Sequence, residues 1–342
     1  LSGAIPDLAP LAGTLAALGL NSNLFSGSIP ESFTRLTKLT QLILSKNRLT
    51  GTIPKGFGQL KDLTYLALDY NGLSGTIPDL SQLTQLNTLQ LTHNQLAGQI
   101  PTWLPALAPG LRYLQLGHNK LEGQIPAFLG GFTALDTLDL SDNRLTGQVP
   151  ASFGNLTKIF NLHLSGNALE GALPKMAVKG IESLHLSHNR FRLGKIPKWV
   201  ASSPIIYSLK LAGCGIKMRM EEFNPAETYF YDYIDLSGNE ITGSPVGLLN
   251  RTELLVEFKA AGNRLEFDMG KLPVAKSLKK LDLSGNRAYG KVPAAVAGLE
   301  ELDVSRNRLC GPLPPTKFPA SAFADNECLC GAPLPPCRRQ RL

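Results

Sequence analysis

The segment LTQLILSKNRLTGTIP (residues 39–54) returns at least twice with the same frame. It reappears as LTYLALDYNGLSGTIP (63–78) and as LDTLDLSDNRLTGQVP (135–150). The shared pattern is L-x-x-L-x-L-x-x-N-x-L-x-G-x-I-P, and self-similarity at a fixed period of this length is typical of a repeat architecture. We therefore expect most of the 342-residue chain to be one structural unit used many times.

The asparagine of this frame locates the repeats along the chain. Its occurrences are 21 to 25 residues apart, except for one gap of 50 residues. They are Asn23, Asn47, Asn71, Asn94, Asn119, Asn143, Asn167, Asn189, Asn239, Asn263, Asn286 and Asn307. Cys214 falls halfway through the gap, in register with Leu209 and Leu211, which gives about thirteen repeats. This position predicts a free, buried, structural thiol and not a nucleophile, because no base is expected beside it.

The pattern predicts a leucine-rich-repeat solenoid of the α/β class. Each x-x-L-x-L-x-x segment forms a short strand whose leucines point inward, and successive strands pair in parallel. We expect a curved right-handed superhelix with a parallel concave β-sheet, a second short sheet from the G-x-I-P segments, and 3-10 turns and loops on the convex side. The asparagine side chains should bond backbone groups where the chain leaves each strand, since buried backbone groups must be paired.

The C-terminal segment differs from the repeats because it contains four cysteines, Cys310, Cys328, Cys330 and Cys337. Four cysteines allow three connectivities, of which we expect Cys310–Cys328 and Cys330–Cys337. The chain opens in mid-pattern without a signal peptide, so we expect its true start to lie upstream. The predicted organisation is a solenoid over residues 1–309 that lacks its N-terminal cap, a disulfide-bonded cap over 310–337 and a basic tail over 338–342.

Composition limits the class of protein. Apolar residues make up 43% of the chain, charged residues 18%, and the net charge is +7. No run of 18 or more apolar residues occurs, so no transmembrane helix is expected in this chain. The cysteine-rich cap indicates an oxidising compartment, and the sequons NLT at Asn155 and NRT at Asn250 predict glycosylation in a secreted protein.

Particular segments resemble a known family. The L-x-G-x-I-P extension, which covers most of residues 1–314, resembles the plant extracellular leucine-rich-repeat class. NRLEFDMGKLPVAKSLKKLDLSGNRAYGKVP (263–293) and NECLCGAPLPPC (326–337) resemble the last repeats and cap of polygalacturonase inhibitors. SSPIIYSLKLAGCGIKM (202–218) and TYFYDYIDLSGNEITGSP (228–245) are similar to a secreted subgroup related to those inhibitors, most of whose members have no assigned ligand.

The resemblance implies a non-enzymatic recognition protein of the plant apoplast and cell wall, which binds a protein partner on its concave sheet. In the inhibitor family that partner is a pectin-degrading enzyme of a pathogen. The alternative is the ectodomain or soluble partner of a plant receptor that recognises a peptide or a cell-wall fragment in defence or development. A structural or ice-binding role would need a flat, threonine-rich face, and the concave positions of this chain are too varied for one.

The candidate binding residues occupy the expected concave face. The five histidines of the chain are expected on the concave strands. With an ordinary pKa near 6.5 they would be positively charged in an acidic cell wall. Tyrosine is enriched in binding hot spots, and Asp136, Asp139 and Asp142 are expected to form a negative patch. The alternative is ordinary solvated strand surface. The predicted protein-binding residues are Tyr65, Tyr70, His93, Tyr113, His118, Asp139, Phe160, His163, His185, His188, Tyr207 and Lys210.

A basic residue follows the repeat asparagine in seven of thirteen repeats. Such a stripe would favour demethylated pectin, a carboxylate polymer, although a solvated edge explains it equally well. The predicted pectin-binding residues are Arg144, Arg190, Arg264, Arg287 and Arg308. No catalytic residue, metal site or cofactor is predicted, and no aromatic-plus-basic module indicates nucleic acid.

Overall fold

The computed structural model describes residues 1–337, so the predicted basic tail at 338–342 lies outside the described residues. The chain divides into two compact units, Leu1–Lys179 and the part from Gly180 onward. Each unit is a stack of repeats. Within a repeat, a three-residue strand belongs to what we call the major sheet, and the segment after the repeat asparagine belongs to a minor sheet.

In the first unit both sheets are entirely parallel, as predicted. Equivalent residues of successive repeats pair in the major sheet, for example Gln41 with Tyr65, whereas the minor-sheet strands pair with an offset of two residues, for example Thr50 with Gly72. The major-sheet strands are Ala17–Gly19, Gln41–Ile43, Tyr65–Ala67, Thr88–Gln90, Tyr113–Gln115, Thr137–Asp139 and Asn161–His163. The minor-sheet strands are Ser2–Ala4, Leu24–Ser28, Arg48–Thr52, Gly72–Gly75, Gln95–Gln99, Lys120–Gln124, Arg144–Gln148 and Ala168–Gly171. The 3-10 helices are Ala9–Leu11, Glu31–Arg35, Lys55–Gln59, Leu104–Leu107, Ala127–Gly131 and Ala151–Asn155.

The second unit has a regular major sheet and a broken minor sheet. Its major-sheet strands are Ser183–His185, Ser208–Lys210, Tyr233–Asp235, Glu257–Lys259, Lys280–Asp282 and Glu301–Asp303. The other strands are Arg190–Phe191, Thr242–Gly243, Arg264–Leu265, Tyr289–Gly290, Arg308–Pro312 and Cys328–Cys330. Two α-helices, Lys198–Ala201 and Val246–Leu249, accompany the 3-10 helices Met220–Glu222, Met269–Lys271, Ala294–Gly298 and Ala320–Phe323.

The core of each repeat follows from the sequence frame. In the strand Tyr65–Ala67 the central Leu66 is completely buried, because alternate side chains of a strand point to opposite faces. The isoleucine-proline pair then starts the turn on the opposite side. Proline fixes its own φ, and the carbonyl oxygen of Pro54 accepts the N–H of Phe57 at 3.1 Å. The Phe57 ring is fully buried, so the recurring phenylalanines of the sequence are core residues.

The repeat asparagines form a ladder of hydrogen bonds. Asn71 shows the pattern: its Nδ2 donates to the carbonyl oxygens of Leu44, Leu68 and Asp69 at 3.0, 3.1 and 3.3 Å. Its Oδ1 accepts the N–H of Leu49 in the preceding repeat at 3.0 Å. Each of the three carbonyl oxygens also accepts a second N–H, from Asn47, Asn94 and Lys46 respectively. The buried N–H of Leu49 is therefore the group that depends on Asn71 for its partner. The predicted structural role of the asparagines is confirmed.

Cys214 occupies the asparagine position of its repeat as a free, buried thiol. Its Sγ lies 3.6 Å from the carbonyl oxygen of Leu186 and 3.7 Å from that of Ala212. Burial, and secondly the charge of Asp235, raise the pKa of this thiol to about 12. A thiol that stays protonated is a poor nucleophile, so the structural interpretation holds.

Replacing Cys214 by asparagine is expected to stabilise the protein. In other repeats the asparagine Oδ1 accepts a backbone N–H of the preceding repeat, from the residue two positions after that repeat's asparagine. For position 214 the preceding asparagine is Asn189, so the corresponding donor is the N–H of Phe191. We expect Cys214→Asn to raise the free energy of unfolding by about 1 kcal/mol, the net value of one added hydrogen bond. Urea denaturation measures this, with Cys214→Ser as the control, because a serine hydroxyl is too short to make the same set of bonds. Equal stability of the two variants would contradict the expectation.

The C-terminal cap contains both expected disulfides, Cys310–Cys328 and Cys330–Cys337. It also contains a ladder asparagine that the sequence frame did not reveal. The Nδ2 of Asn326 donates to the carbonyl oxygens of Val304 and Phe323 at 3.1 and 3.0 Å, and its Oδ1 accepts the N–H of Leu309 at 3.0 Å. The cap therefore continues the hydrogen-bond pattern of the repeats.

Candidate functional site

Five residues of the first unit form a continuous side-chain stack beside the major sheet, which we call the turn column: Lys46, Tyr70, His93, His118 and Asp142. Each directly precedes a repeat asparagine, in five successive repeats. The rings of Tyr70 and His93 stack with centroids 4.1 Å apart, and those of His93 and His118 with centroids 3.9 Å apart. Lys46 Nζ lies 5.8 Å from the Tyr70 ring centroid, and His118 Nε2 lies 3.3 Å from Asp142 Oδ2.

The backbone explains why these side chains align. All five residues have φ between 49° and 56°, the left-handed conformation that side chains other than glycine rarely adopt. Hydrogen bonds to the next repeat hold the turn, for example from the N–H of Tyr70 to the carbonyl oxygen of Thr92 at 2.9 Å. The same turn therefore recurs at the spacing of the strands, and successive rings come within stacking distance.

The structure corrects the expected placement of three histidines. His93, His118 and His188 do not lie on strands but in the turn that follows each strand, all with positive φ. His163 and His185 are strand residues, as expected. The expectation of a uniformly charged histidine face also needs revision. Burial, and secondly the neighbouring His118, lower the pKa of His93, although Asp139, Asp142 and Asp69 act in the opposite direction.

The titration of His93 provides a test of the stack. Its pKa is below the ordinary value of 6.5, so its contribution to stability is complete above pH 6.5 and is lost as the pH falls through the lower, folded-state value. The His118→Ala variant lacks the positive charge that disfavours protonation of His93, so we expect the pKa of His93 to rise. It should stay below 6.5, because burial is the larger cause. NMR titration of the His93 ring measures this, and an unchanged pKa would show that the two rings do not interact.

The strand residues of the first unit add aromatic and charged groups next to the turn column. The hydroxyl of Tyr65 donates to Gln90 Oε1 at 3.1 Å, and burial raises the pKa of this tyrosine. The guanidinium carbon of Arg112 lies 5.9 Å from the Tyr113 ring centroid. Asp139 is half-buried and accepts hydrogen bonds from the N–H and the hydroxyl of Ser141. The predicted Phe160 is half-buried just before the last of these strands, and His163 is half-buried at its end.

The prediction that Asp136 belongs to an exposed negative patch is wrong. Asp136 is buried, with 9% of its side chain exposed, and it is ion-paired to Arg112. A buried carboxylate requires such a partner because desolvation disfavours its charge. Arg112 thus neutralises Asp136 and leaves Asp139 and Asp142 as the acidic groups of that repeat. Sequence reasoning did not single out Arg112, although a basic residue at the corresponding position of the preceding repeat was a signal.

In the second unit the face of the major sheet is strongly charged. His185 Nε2 lies 3.0 Å from the Ser183 hydroxyl and 2.8 Å from that of Ser208. Lys210 Nζ lies 4.8 Å from the Tyr233 ring centroid. The predicted Tyr207 is exposed just before its strand, and His188 is exposed in the turn after another.

The charged strand positions beyond Lys210 were missed as candidates. Each ends or begins one of the last four major-sheet strands, and they are Asp235, Glu257, Lys259, Lys280, Asp282, Glu301 and Asp303. Lys259 pairs with Glu257, and Lys280 Nζ lies 2.7 Å from Glu301 Oε1. A cavity of about 180 Å³ lies between Lys259, Asp282 and Asp303. The strand sequences YID, EFK, KLD and ELD, in which polar residues flank one apolar residue, could have identified this surface from the sequence.

The proposed pectin-binding arginines are not equally available. Arg264 forms an ion pair with Glu240 at 2.9 Å, whose pKa is lowered mainly by a hydrogen bond from Lys217. The remaining four, Arg144, Arg190, Arg287 and Arg308, are exposed. Asn155 and Asn250 are also exposed, each at the end of a short helix, so glycosylation at both stays a prediction.

Two negative findings concern the described residues alone. Within residues 1–337, no three histidine, cysteine, aspartate or glutamate side chains are placed together so as to hold a metal ion. None of the helices in that range has the length and apolar character needed to cross a membrane.

Comparison with known proteins agrees with this architecture. Models described as Leucine rich repeat match residues 13–73, 85–107, 109–169, 180–203 and 298–317, more than half of the chain together. Polygalacturonase inhibitor 2 of Phaseolus vulgaris is 40% identical over 112 residues, which are 31% of this chain and 33% of the relative. Leucine-rich repeat protein FLOR 1 of Arabidopsis thaliana is 41% identical over 115 residues, 32% and 35% of the two chains. The matches thus span about a third of these relatives' length.

Among solved structures, the ectodomain of the Arabidopsis receptor kinase HAESA with an extended IDA peptide hormone has a TM-score of 0.71 and 29% identity. That match covers 99% of this chain and 66% of the receptor chain. The PEPR1–AtPEP1 complex has a TM-score of 0.62 and 27% identity, covering 95% and 57% of the two chains. The resemblance inferred from the cap and last repeats is confirmed by the inhibitor matches. The chain belongs to the leucine-rich-repeat proteins and is similar to plant polygalacturonase inhibitors.

Proposed function

We propose that this protein is a secreted, non-enzymatic protein-binding module of the plant cell wall, and that it resembles inhibitors of pathogen polygalacturonases in binding a protein on its major-sheet face. The observation that carries the proposal is the turn column, which lies in the turns directly after the major-sheet strands of the first unit. Its rings form an ordered, partly exposed surface, with Tyr70 47% exposed. Pre-stacked aromatic rings present large contact area at low entropic cost, which is typical of hot spots in protein interfaces.

The neighbouring groups support a protein partner. Positive Lys46 and negative Asp142 end the column, and Tyr113 begins a major-sheet strand of the same unit, with Arg112 just before it. Mixed charge around aromatic groups favours the varied surface of a folded protein over a uniform polyanion. The inhibitors that this chain is similar to are named for the enzyme they inhibit, which makes a polygalacturonase the first partner to test.

The test measures binding of a fungal endopolygalacturonase by biolayer interferometry together with its residual activity on pectin. We expect Tyr70→Ala and His118→Ala each to weaken binding about tenfold or more, the effect of losing a hot-spot contact. Tyr289→Ala is the matched control, because Tyr289 is equally exposed, at 47%, but lies on a minor-sheet strand. Equal losses in all three variants, or no binding by the parent protein, would refute the proposal for this partner.

A second candidate function is recognition of a peptide, as the ectodomain or soluble partner of a receptor. The observation that favours it is the charged strand surface of the second unit, in which acidic and basic groups alternate across the paired strands from Asp235 to Asp282, with Asp303 adding a further acidic group. Such a pattern suits an extended chain of fixed register, because each repeat offers one or two charges to successive residues. Binding of charged peptides that is lost in Lys259→Gln but kept in Tyr70→Ala would favour this function over the first.

Pectin remains a proposed additional ligand of the exposed arginines. A variant with Arg144, Arg287 and Arg308 all changed to glutamine should elute from immobilised demethylated pectin at lower salt than the parent protein. Retention of the parent protein that 0.5 M salt does not change would show that charge does not hold it.

A further inference from the structure

An exposed apolar patch lies at one edge of the second unit, where the chain enters the major-sheet strands. It consists of five side chains that are 38–56% exposed, which we call the edge patch: Tyr207, Tyr229, Phe230, Leu254 and Val256. Ten large apolar side chains are exposed within residues 1–337, and half of them fall in this 50-residue stretch. Single exposed apolar residues are normal, but a contiguous group rimmed by polar residues marks an interaction surface.

Backbone hydrogen bonds align the residues that precede three successive strands, with Asp232 between Tyr207 and Val256. The N–H of Asp232 donates to the carbonyl oxygen of Tyr207, and the N–H of Val256 donates to that of Asp232, both at 2.9 Å. The Thr228 hydroxyl donates to the carbonyl oxygen of Arg251 at 2.6 Å, which brings the segment before Tyr229 against the next repeat. Three successive repeats therefore contribute to one surface.

The patch exists because the repeat after Cys214 is irregular. Instead of L-x-G-x-I-P, it reads IKMRMEEFNPAETYFYDY (216–233). Tyr231 fills the core position, 1% exposed and edge-on to Phe223 with ring centroids 6.4 Å apart. Because the core is already filled, the adjacent Phe230 points outward. Its ring meets that of Tyr229 at 90°, with centroids 5.4 Å apart.

The turn that carries these two rings is fixed. Glu227 Oε1 accepts the N–H groups of Thr228 and Tyr229 at 2.7 and 2.9 Å. These bonds lower the pKa of Glu227, so the carboxylate that holds the turn is ionised at neutral and mildly acidic pH. The backbone turn is thus formed before any partner binds, which reduces the entropic cost of binding.

The rim of the patch carries an excess of negative charge. Asp232 is exposed between Tyr207 and Val256, and the exposed Glu227 and Glu253 lie close in sequence to Tyr229 and Leu254. Among the nearby cations, Lys279 pairs with Glu300 at 3.6 Å, whereas Arg251 donates to the neutral Asn224 Oδ1 at 2.8 Å and Lys276 is exposed. The three carboxylates thus outnumber Arg251 and Lys276, and a ligand that covers the apolar side chains while pairing with the carboxylates carries positive charge.

We propose that the edge patch is a docking surface for a basic segment of a partner protein, one whose aromatic or aliphatic side chains are flanked by lysine or arginine. The aromatic pair provides the apolar anchor, and Asp232 with Glu253 provides the charge that selects the partner. This surface is separate from the turn column of the first unit, and the inference does not depend on the proposed inhibitor function. This protein can therefore fail to bind a polygalacturonase and still bind a basic segment at the edge patch.

The experiment selects random peptides of about 12 residues, displayed on phage, against the immobilised full chain. We expect enriched peptides to combine aromatic or aliphatic residues with lysine or arginine. A synthetic peptide of the enriched sequence should bind the double variant Tyr229→Ser with Phe230→Ser about tenfold more weakly than the parent protein. Tyr289→Ser is the control for an equally exposed ring elsewhere, and Tyr70→Ala for the turn column. Neither should change the affinity.

A second variant separates lost contacts from lost folding. Asp232→Asn with Glu253→Gln keeps all the rings, and we expect it to weaken binding and to reduce the salt dependence of the affinity. Circular dichroism melting confirms that each variant is folded. The inference is overturned if no peptide family is enriched, if the enriched peptides are acidic, or if the peptide binds both double variants as tightly as it binds the parent protein.

Discussion

Asn94→Ala is expected to lower the free energy of unfolding by about 2–4 kcal/mol, because it removes four hydrogen bonds of a buried side chain and leaves the buried N–H of Leu73 without its partner. Only 9% of Asn94 is exposed. Its Nδ2 donates to the carbonyl oxygens of Leu68, Leu91 and Thr92 at 3.0, 3.1 and 3.3 Å. Its Oδ1 accepts the N–H of Leu73 at 3.0 Å. Alanine can replace none of these bonds, and the small cavity that it leaves adds to the loss.

Urea denaturation measures the loss, and hydrogen exchange of the Leu73 amide shows where it occurs. Asn21→Ala is the matched control, since Asn21 is an exposed asparagine of the same unit. It should change the free energy of unfolding by less than about 0.5 kcal/mol. If Asn94→Ala is no more destabilising than Asn21→Ala, the ladder is not what satisfies the buried backbone.

The repeat frame made most of the fold predictable. Leucine spacing identified the inward-facing strand residues, and the fixed asparagine identified where the chain turns. Cys214 could be interpreted correctly because register places it among the ladder residues, where burial is certain and a base is not expected. The same logic could not find Asn326. It lies 19 residues after Asn307, and Phe323 stands at the place of the framework leucine in its repeat. Its identity depends on contacts that only the folded cap reveals.

The candidate surfaces were predictable in part. Sequence placed Tyr70, His93 and His118 at equivalent positions, but the stacking of their rings depends on a left-handed backbone turn that the sequence pattern did not indicate. Asp136 was wrongly assigned to the surface. Its burial depends on the ion pair with Arg112 of the preceding repeat, and the alternation of strand residues does not predict that contact. The outward aromatic pair at Tyr229 and Phe230 follows from a break in the repeat. A periodic frame gives no information where the period fails.

Removing one disulfide of the cap is expected to have the other large effect on stability. Cys310 and Cys328 lie opposite each other on paired parallel strands, and the bond between them closes a loop of 18 residues. That loop contains the buried Phe318 and Phe323. Changing both cysteines to serine should lower the free energy of unfolding by about 3 kcal/mol, the chain-entropy value for a loop of this length.

The second disulfide provides the internal comparison for this prediction. Cys330–Cys337 closes a loop of only 7 residues, so its double serine variant should lose about 2.4 kcal/mol by the same relation. In a repeat protein each repeat is stabilised by its neighbours, so unfolding of the cap should spread to the repeat that it covers. Hydrogen exchange should therefore accelerate at Val304 and Leu309 in the Cys310–Cys328 variant more than in the Cys330–Cys337 variant. Equal exchange in both would mean that the longer loop does not secure the end of the stack.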